Sequence, residues 1–148
     1  DIDVLARFNL WKIFCDYNHG TGHGVGHYLN VHEGPISISK NNDSLFSEGM
    51  IVSNEPGFYK TNAYGIRIEN LELVKTIKSH VANKNFLNFE TLTMVPYEKK
   101  LINKKLLNDD EILSIDNYHK QVRKKIVNLI NLNEKGLKSF IIKKTASL

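Results

Sequence analysis

From Gly20 to Gly26 every second residue is glycine, in the run His19-Gly-Thr-Gly-His23-Gly-Val-Gly-His27. Each glycine costs a helix about 1 kcal/mol relative to alanine, so four of them in seven positions rule one out. His19, His23 and His27 recur at i, i+4 and i+8, and they therefore cannot form a helical stripe. A short strand from His23 onward is expected instead, and in a strand His23, Val25 and His27 would share one face. Glycine at this density also means that the backbone comes close to something. Four of the six histidines of the chain fall within the fourteen residues from His19 to His32.

Two carboxylates follow in strand-like surroundings, in Asn54-Glu55-Pro56-Gly57 and in Gly65-Ile-Arg67-Ile-Glu69-Asn70. Histidine with carboxylate suits a metal site that does hydrolytic chemistry. Each residue also has a plainer reading. Glu55 before Pro-Gly could be a surface corner, and Glu69 could form an ion pair with Arg67, two residues away on the same strand face. If both were buried they would need a countercharge. The glycine run is not a dinucleotide loop, because Val25 stands where the third glycine would be, and no Walker lysine follows. His32-Glu33 is followed by Gly34-Pro35, which excludes a helical His-Glu-x-x-His zinc motif.

The 148 residues suffice for a sizeable core, and 41% hydrophobic with 24% charged residues is ordinary for a globular protein. No apolar run approaches the roughly 18 residues that span a bilayer, so no membrane partner is expected. The chain opens on Asp1-Ile2-Asp3, without an initiator Met or a signal pattern. It is expected to be part of a longer protein, which leaves room for a targeting signal upstream. A single cysteine, Cys15, excludes an internal disulfide and fits a reducing compartment. The net charge of +4 arises mainly from lysines in the last third, spaced between apolar residues with little arginine or aromatic interleaving. This reads as a solvated helical face, and no nucleic-acid partner is expected.

Apolar spacing predicts a helix over residues 2–14 with one broad buried face. A buried strand is expected at Met50-Ile-Val52, ending at the Pro56-Gly57 turn, and an alternating strand over residues 66–74. Extended segments at residues 86–89 and 92–95 close at Pro96. Asn108-Asp-Asp-Glu111 places a cap and an acidic first turn before Ile112, so a helix is predicted from there to about Leu132, with a second after Asn133. The fold class is α+β, antiparallel strands with flanking helices. Two parts are expected, residues 1–97 as the catalytic portion and residues 98–148 as a helical C-terminal extension.

Taken together, residues 16–35, Glu48-Gly-Met-Ile-Val-Ser-Asn-Glu-Pro-Gly-Phe-Tyr59, Tyr64-Gly-Ile-Arg-Ile-Glu-Asn70 and Phe89-Glu-Thr-Leu-Thr-Met-Val-Pro96 resemble the cytosolic type of aminopeptidase P, the Xaa-Pro aminopeptidases. The likeness runs from about Leu5 to Arg123. It implies part of a pita-bread domain, the creatinase/methionine-aminopeptidase-like fold, and an enzyme that removes the N-terminal residue from peptides with proline second. It also implies two divalent metal ions, usually manganese, held by two Asp, one His and two Glu.

Carried over position by position, the resemblance makes His23, Glu55 and Glu69 metal ligands, with Glu69 bridging. His19 and His32 would line the substrate pocket, His32 stabilising the tetrahedral intermediate. Arg67 would bind at the pocket and orient the carboxylates, and Glu55 would move a proton to the leaving prolyl nitrogen. The family's two Asp ligands precede the histidine run. Asp1, Asp3 and Asp16 do not stand in those motifs, so this chain alone is expected to be inactive and to need the rest of the same protein. His27 is a rival ligand by strand parity, but the family does not require histidine there, and it is expected at the pocket rim or on the surface. The resemblance further implies a cytoplasmic enzyme and a homodimer contact on the last helices. A prolidase-type dipeptidase on the same fold, or a catalytically dead pita-bread binding module, are the alternatives.

Overall fold

A computed structural model describes residues 2–28, 30–79, 84–131 and 133–148. The chain divides into two compact units between Thr93 and Met94. The division comes before the boundary expected at residue 97 because the intervening residues bond to the helical unit. The Tyr118 hydroxyl donates to the Val95 carbonyl at 2.8 Å, and the Tyr97 N–H donates to His119 Nε2 at 3.1 Å.

The first unit opens with α1 (Asp3–Trp11). Here the buried face is the opposite of the one that apolar spacing predicts. Asp3 and Arg7 are the buried residues of this helix, while Leu5 and Phe8 are 76% and 52% exposed. The physical cause is an i, i+4 ion pair, Arg7 Nε to Asp3 Oδ2 at 2.8 Å, which turns the polar face inward. The helix stops before residue 14 because Phe14 takes the left-handed conformation (φ 57°) and the Cys15 N–H reaches back to the Leu10 carbonyl at 3.0 Å.

Among the described residues seven strands follow: β1 (Gly22–His23), β2 (Ser37–Ile38), β3 (Ile51–Asn54), β4 (Gly57–Lys60), β5 (Tyr64–Arg67), β6 (Asn70–Lys78) and β7 (Asn85–Thr91). All pairings are antiparallel. They form a β1–β2 ladder, a β3–β6–β7 sheet and a β4–β5 hairpin. The single strand expected over residues 66–74 is two, because Ile68 and Glu69 fall in neither strand and the chain passes there from the hairpin to the central sheet. Thr91 ends β7, so the expected extended segment at residues 92–95 is not a strand. Ile36, Ile38 and Val52 form the buried apolar core, with Phe46, Met50 and Phe89 packed against them.

The second unit holds two 3₁₀ turns, Lys99–Leu101 and Lys104–Leu106, then α2 (Asp109–Val127) and α3 (Lys135–Lys144). The predicted N-terminus of α2 is found as a capping box. The Asn108 side chain accepts from the Glu111 N–H, and Glu111 accepts from the Asn108 N–H, each at 2.9 Å. The helix ends at Val127, short of the expected limit near Leu132, which itself lies outside the described residues. Tyr118, Val122 and Ile141 are buried in this unit, and Tyr97 stacks on Tyr118 with ring centroids 4.5 Å apart. Among the described residues no helix is long and apolar enough to cross a membrane.

Candidate active site

β1 runs against β3 at a distance that only glycine permits. A Cβ on Gly22 would lie 1.9 Å from the Ser53 carbonyl oxygen. That approach brings His23 to Glu55. The His23 N–H donates to Ser53 Oγ at 3.0 Å, and Ser53 Oγ donates to Glu55 Oε1, also at 3.0 Å. The Glu55 N–H is held by the Thr21 carbonyl at 2.7 Å, so the residue beyond β3 is tied to the strand beside it. Glu55 is 8% exposed.

The His23 ring is fixed by its own backbone. A carbonyl can only accept, so the contact of Nδ1 with the Gly24 carbonyl at 2.9 Å puts the proton on Nδ1. Nε2 then faces Glu55 Oε1 at 3.1 Å. A lone pair and a carboxylate oxygen at that distance repel unless positive charge lies with them, either a second ring proton or a shared cation. An imidazole whose Nδ1–H is held by a carbonyl is the usual disposition of a ligating histidine. The His32 ring lies over the His23 ring, with centroids 4.1 Å apart and planes at 37°.

The other oxygen of Glu55 is held from the hairpin. Arg67, at the end of β5, donates from Nη1 to Glu55 Oε2 at 2.8 Å and from Nε to the Tyr59 hydroxyl at 2.9 Å. The bond to Tyr59, with the charges of Glu55 and Glu69 behind it, raises the Arg67 pKa above its ordinary value. The Tyr59 hydroxyl in turn meets His19 Nε2 at 2.8 Å, while His19 Nδ1 donates to the Gly20 carbonyl at 2.7 Å. The donors therefore run in one direction: Arg67 to Tyr59, Tyr59 to His19, His19 to Gly20. Tyr59 lies across the hairpin over two glycines. A Cβ on Gly57 would fall 2.5 Å from its hydroxyl oxygen, and one on Gly65 2.7 Å from its Cδ1.

Thus His19, His23, His32, Glu55 and Arg67 come together as one connected group. Glu69 stands apart from the expectation in two respects. It is exposed and lies between β5 and β6, so it does not share a strand face with Arg67, and Arg67 gives its ion pair to Glu55. The strand at His23 is only two residues long, so the parity argument for His27 fails. His27 is exposed, packs edge-on against Tyr28 at 4.6 Å and borders a separate cavity of about 340 Å³ with Glu33 and Met50. Tyr59, Ser53 and Thr21 also belong to the group and are not among the residues expected from the sequence. The available signal for Tyr59 was its place two residues after Gly57 in a strand-turn-strand segment that also carries Gly65.

An imidazole nitrogen beside a carboxylate oxygen fits a divalent metal cation. Among the described residues, however, no three His, Cys, Asp or Glu side chains are grouped so as to hold a metal ion. His23 Nε2 and Glu55 Oε1 are two such donors side by side.

The fold and this site define a class. The model of metallopeptidase family M24 matches residues 1–76, and that of the C-terminal region of the same peptidases matches residues 85–148. The chain belongs to metallopeptidase family M24, and its fold is the corresponding part of the pita-bread fold. It is similar to Xaa-Pro aminopeptidase 1 of Dictyostelium discoideum, 48% identical over 133 residues, which are 88% of this chain and 21% of the relative. Among solved structures it matches an X-prolyl aminopeptidase from Caenorhabditis elegans, a cytosolic enzyme with a di-nuclear active site. There the TM-score is 0.92 and the identity 37%, covering 99% of this chain and 24% of that one. A Xaa-Pro dipeptidase from Bacillus anthracis is more distant, with a TM-score of 0.50 and 32% identity over 65% of this chain and 24% of its own. The chain spans about a fifth of the length of the Dictyostelium relative.

Proposed function

We propose that the chain is the part of a dimetal Xaa-Pro aminopeptidase that supplies one histidine and two glutamates to the metals. The observation that carries this reading is the His23–Glu55 contact. His23 Nδ1–H is committed to the Gly24 carbonyl, and its Nε2 lies 3.1 Å from a buried carboxylate oxygen, an arrangement that a shared cation satisfies with the ring neutral. In this reading His23, Glu55 and Glu69 hold two divalent ions, manganese being suited to the oxygen-rich set. The ions would supply Lewis acidity and a water of lowered pKa.

The chain's own residues then have distinct tasks. Arg67 and Ser53 hold the two oxygens of Glu55 in place, and Glu55 takes the proton given up by the water that attacks the carbonyl carbon and passes it to the prolyl nitrogen as the C–N bond breaks. His32, whose ring lies tilted against that of His23, donates to the developing oxyanion. His19 and Arg67, joined through Tyr59, line the pocket that receives the peptide. The substrate is a peptide with proline at its second position. Two further ligands, Asp by the resemblance, come from the rest of the same protein, so the 148-residue chain alone has no peptidase activity. A cytoplasmic location and a homodimer contact through the last helices complete the proposal. The lower likeness to the dipeptidase favours an aminopeptidase over a prolidase.

The test is metal content and hydrolysis of an Arg-Pro-Pro type peptide by the parent-length protein with added manganese. About two ions per chain, with cleavage of the first bond abolished by Glu69→Ala, is the expected result. A folded parent protein that binds no metal and cleaves nothing would instead establish the binding module.

A further inference from the structure

A helix that only closed a core would turn leucine and phenylalanine inward. α1 turns a charged guanidinium inward and leaves Leu5 and Phe8 outside. Burying a charge is costly unless its partners are well placed, so the position of Arg7 calls for a cause. Its side chain is 4% exposed and makes four hydrogen bonds. Nε donates to Asp3 Oδ2 at 2.8 Å, and Nη1 to Asp16 Oδ1 at 2.6 Å and to the Tyr17 carbonyl at 2.7 Å. Nη2 donates to the His19 carbonyl at 2.7 Å. The guanidinium also lies 3.9 Å from the centre of the Tyr17 ring, and that ring meets the His19 ring at 4.8 Å.

Asp3 extends the same grip. Its second oxygen accepts from the Thr21 hydroxyl, and the Thr21 carbonyl is the acceptor for the Glu55 N–H. One ion pair on one turn of α1 thus touches the backbone of His19 directly and that of Glu55 through a single residue.

We propose that Arg7 is a positioning residue for the candidate site: with Asp3 it sets where His19 stands relative to Glu55, and so whether Tyr59 can join His19 to Arg67, the partner of Glu55. It touches no substrate and acts through the carbonyls of Tyr17 and His19. Lysine cannot replace it, since a single ammonium cannot reach Asp3, Asp16 and two carbonyls in the directions a planar fork serves. The role of Arg7 in turnover rests on the aminopeptidase reading, whereas its hold on His19 does not.

The test reads the His19 ring in the 148-residue chain by long-range ¹H–¹⁵N correlation. In the unsubstituted chain His19 is expected as the neutral Nδ1–H tautomer, with Nε2 accepting from Tyr59. In Arg7→Lys that tautomer gives way to a mixture containing the Nε2–H form. The His119 ring and the slow exchange of the β3–β6 amides serve as controls for the fold and stay unchanged. If the Lys variant fails to fold, Asp16→Asn decides, because Asp16 is partly exposed and steadies only Nη1. It is expected to shift His19 in the same direction by a smaller amount. A folded Arg7→Lys chain, or failing that a folded Asp16→Asn chain, in which His19 keeps its single tautomer overturns the proposal. In the parent-length protein, Arg7→Lys should lower kcat/KM about tenfold or more at unchanged metal content, the usual scale for misplacing a site group. An unchanged kcat/KM there also overturns it. The tautomer readout needs neither metal nor substrate, so it stands even if the parent proves not to be a peptidase.

Discussion

Alanine at Gly22 tests the close approach on which the site depends. The added Cβ would sit 1.9 Å from the Ser53 carbonyl oxygen, 2.9 Å from its carbonyl carbon and 3.1 Å from Ile38 Cδ1. The first contact is about 1.4 Å short of a normal carbon–oxygen approach of roughly 3.3 Å. Ser53 cannot retreat, because β3 is paired along its other side with β6, Ser53 opposite Leu71. β1 must therefore move outward. In doing so it strains the His23 N–H bond to Ser53 Oγ and the Glu55 N–H bond to the Thr21 carbonyl. Overpacking costs about 1–3 kcal/mol and each weakened hydrogen bond about 1 kcal/mol, so we expect a loss of about 3 kcal/mol. Gly20, two residues earlier, is the control. Its nearest neighbour to a new Cβ is the Ile38 carbonyl at 3.5 Å, an ordinary contact, and alanine there should change stability by less than about 0.5 kcal/mol. Trp11, the single tryptophan, lies in the first unit and reports its urea unfolding by fluorescence. Equal midpoints for the two variants would refute the reasoning.

Two further predictions concern pH. Glu72 in β6 is buried, and desolvation raises its pKa against the weaker opposing effect of its bond from Thr91. A raised carboxyl pKa means that the folded state holds the proton more tightly, so the contribution to stability is full below about 4.5 and is lost as pH rises through the folded value. Glu72→Gln should therefore stabilise the first unit at pH 7 but not at pH 4, in urea titrations followed by Trp11. His119 in α2 is fully buried, and its pKa is lowered, first by desolvation and then by the charge of Lys99. Here the sign reverses: its contribution is present above 6.5 and lost as pH falls below that through the folded value. Thermal melts by far-UV circular dichroism, to which α2 and α3 contribute most, should show the second unit weakening on acidification, and His119→Gln should flatten that dependence.

What the sequence made legible was governed by local rules. The cap at Asn108 was readable because its hydrogen bonds lie within three residues. The pairing of His23 with Glu55 was legible only through the family resemblance, because Glu55 before Pro56-Gly57 reads equally well as a surface corner. The inversion of α1 was not, since Leu5 and Phe8 look like core by spacing, and only the distant partners Thr21, Tyr17 and His19 explain why Asp3 and Arg7 are the inward pair. Alternation from Ile66 onward suggested one strand. The break at Ile68 and Glu69 depends on which sheet each half joins, and periodicity does not carry that information.

The recumbent Tyr59 ring has an evolutionary corollary. Gly57 and Gly65 are not two independent vacancies, because one aromatic ring fills both. A side chain at residue 65 requires the Tyr59 ring to swing off the hairpin or to be lost, and either change would unlink Arg67 from His19. The three positions should therefore be inherited as a unit, and intermediates between that unit and any other combination should be rare among descendants that keep the site working.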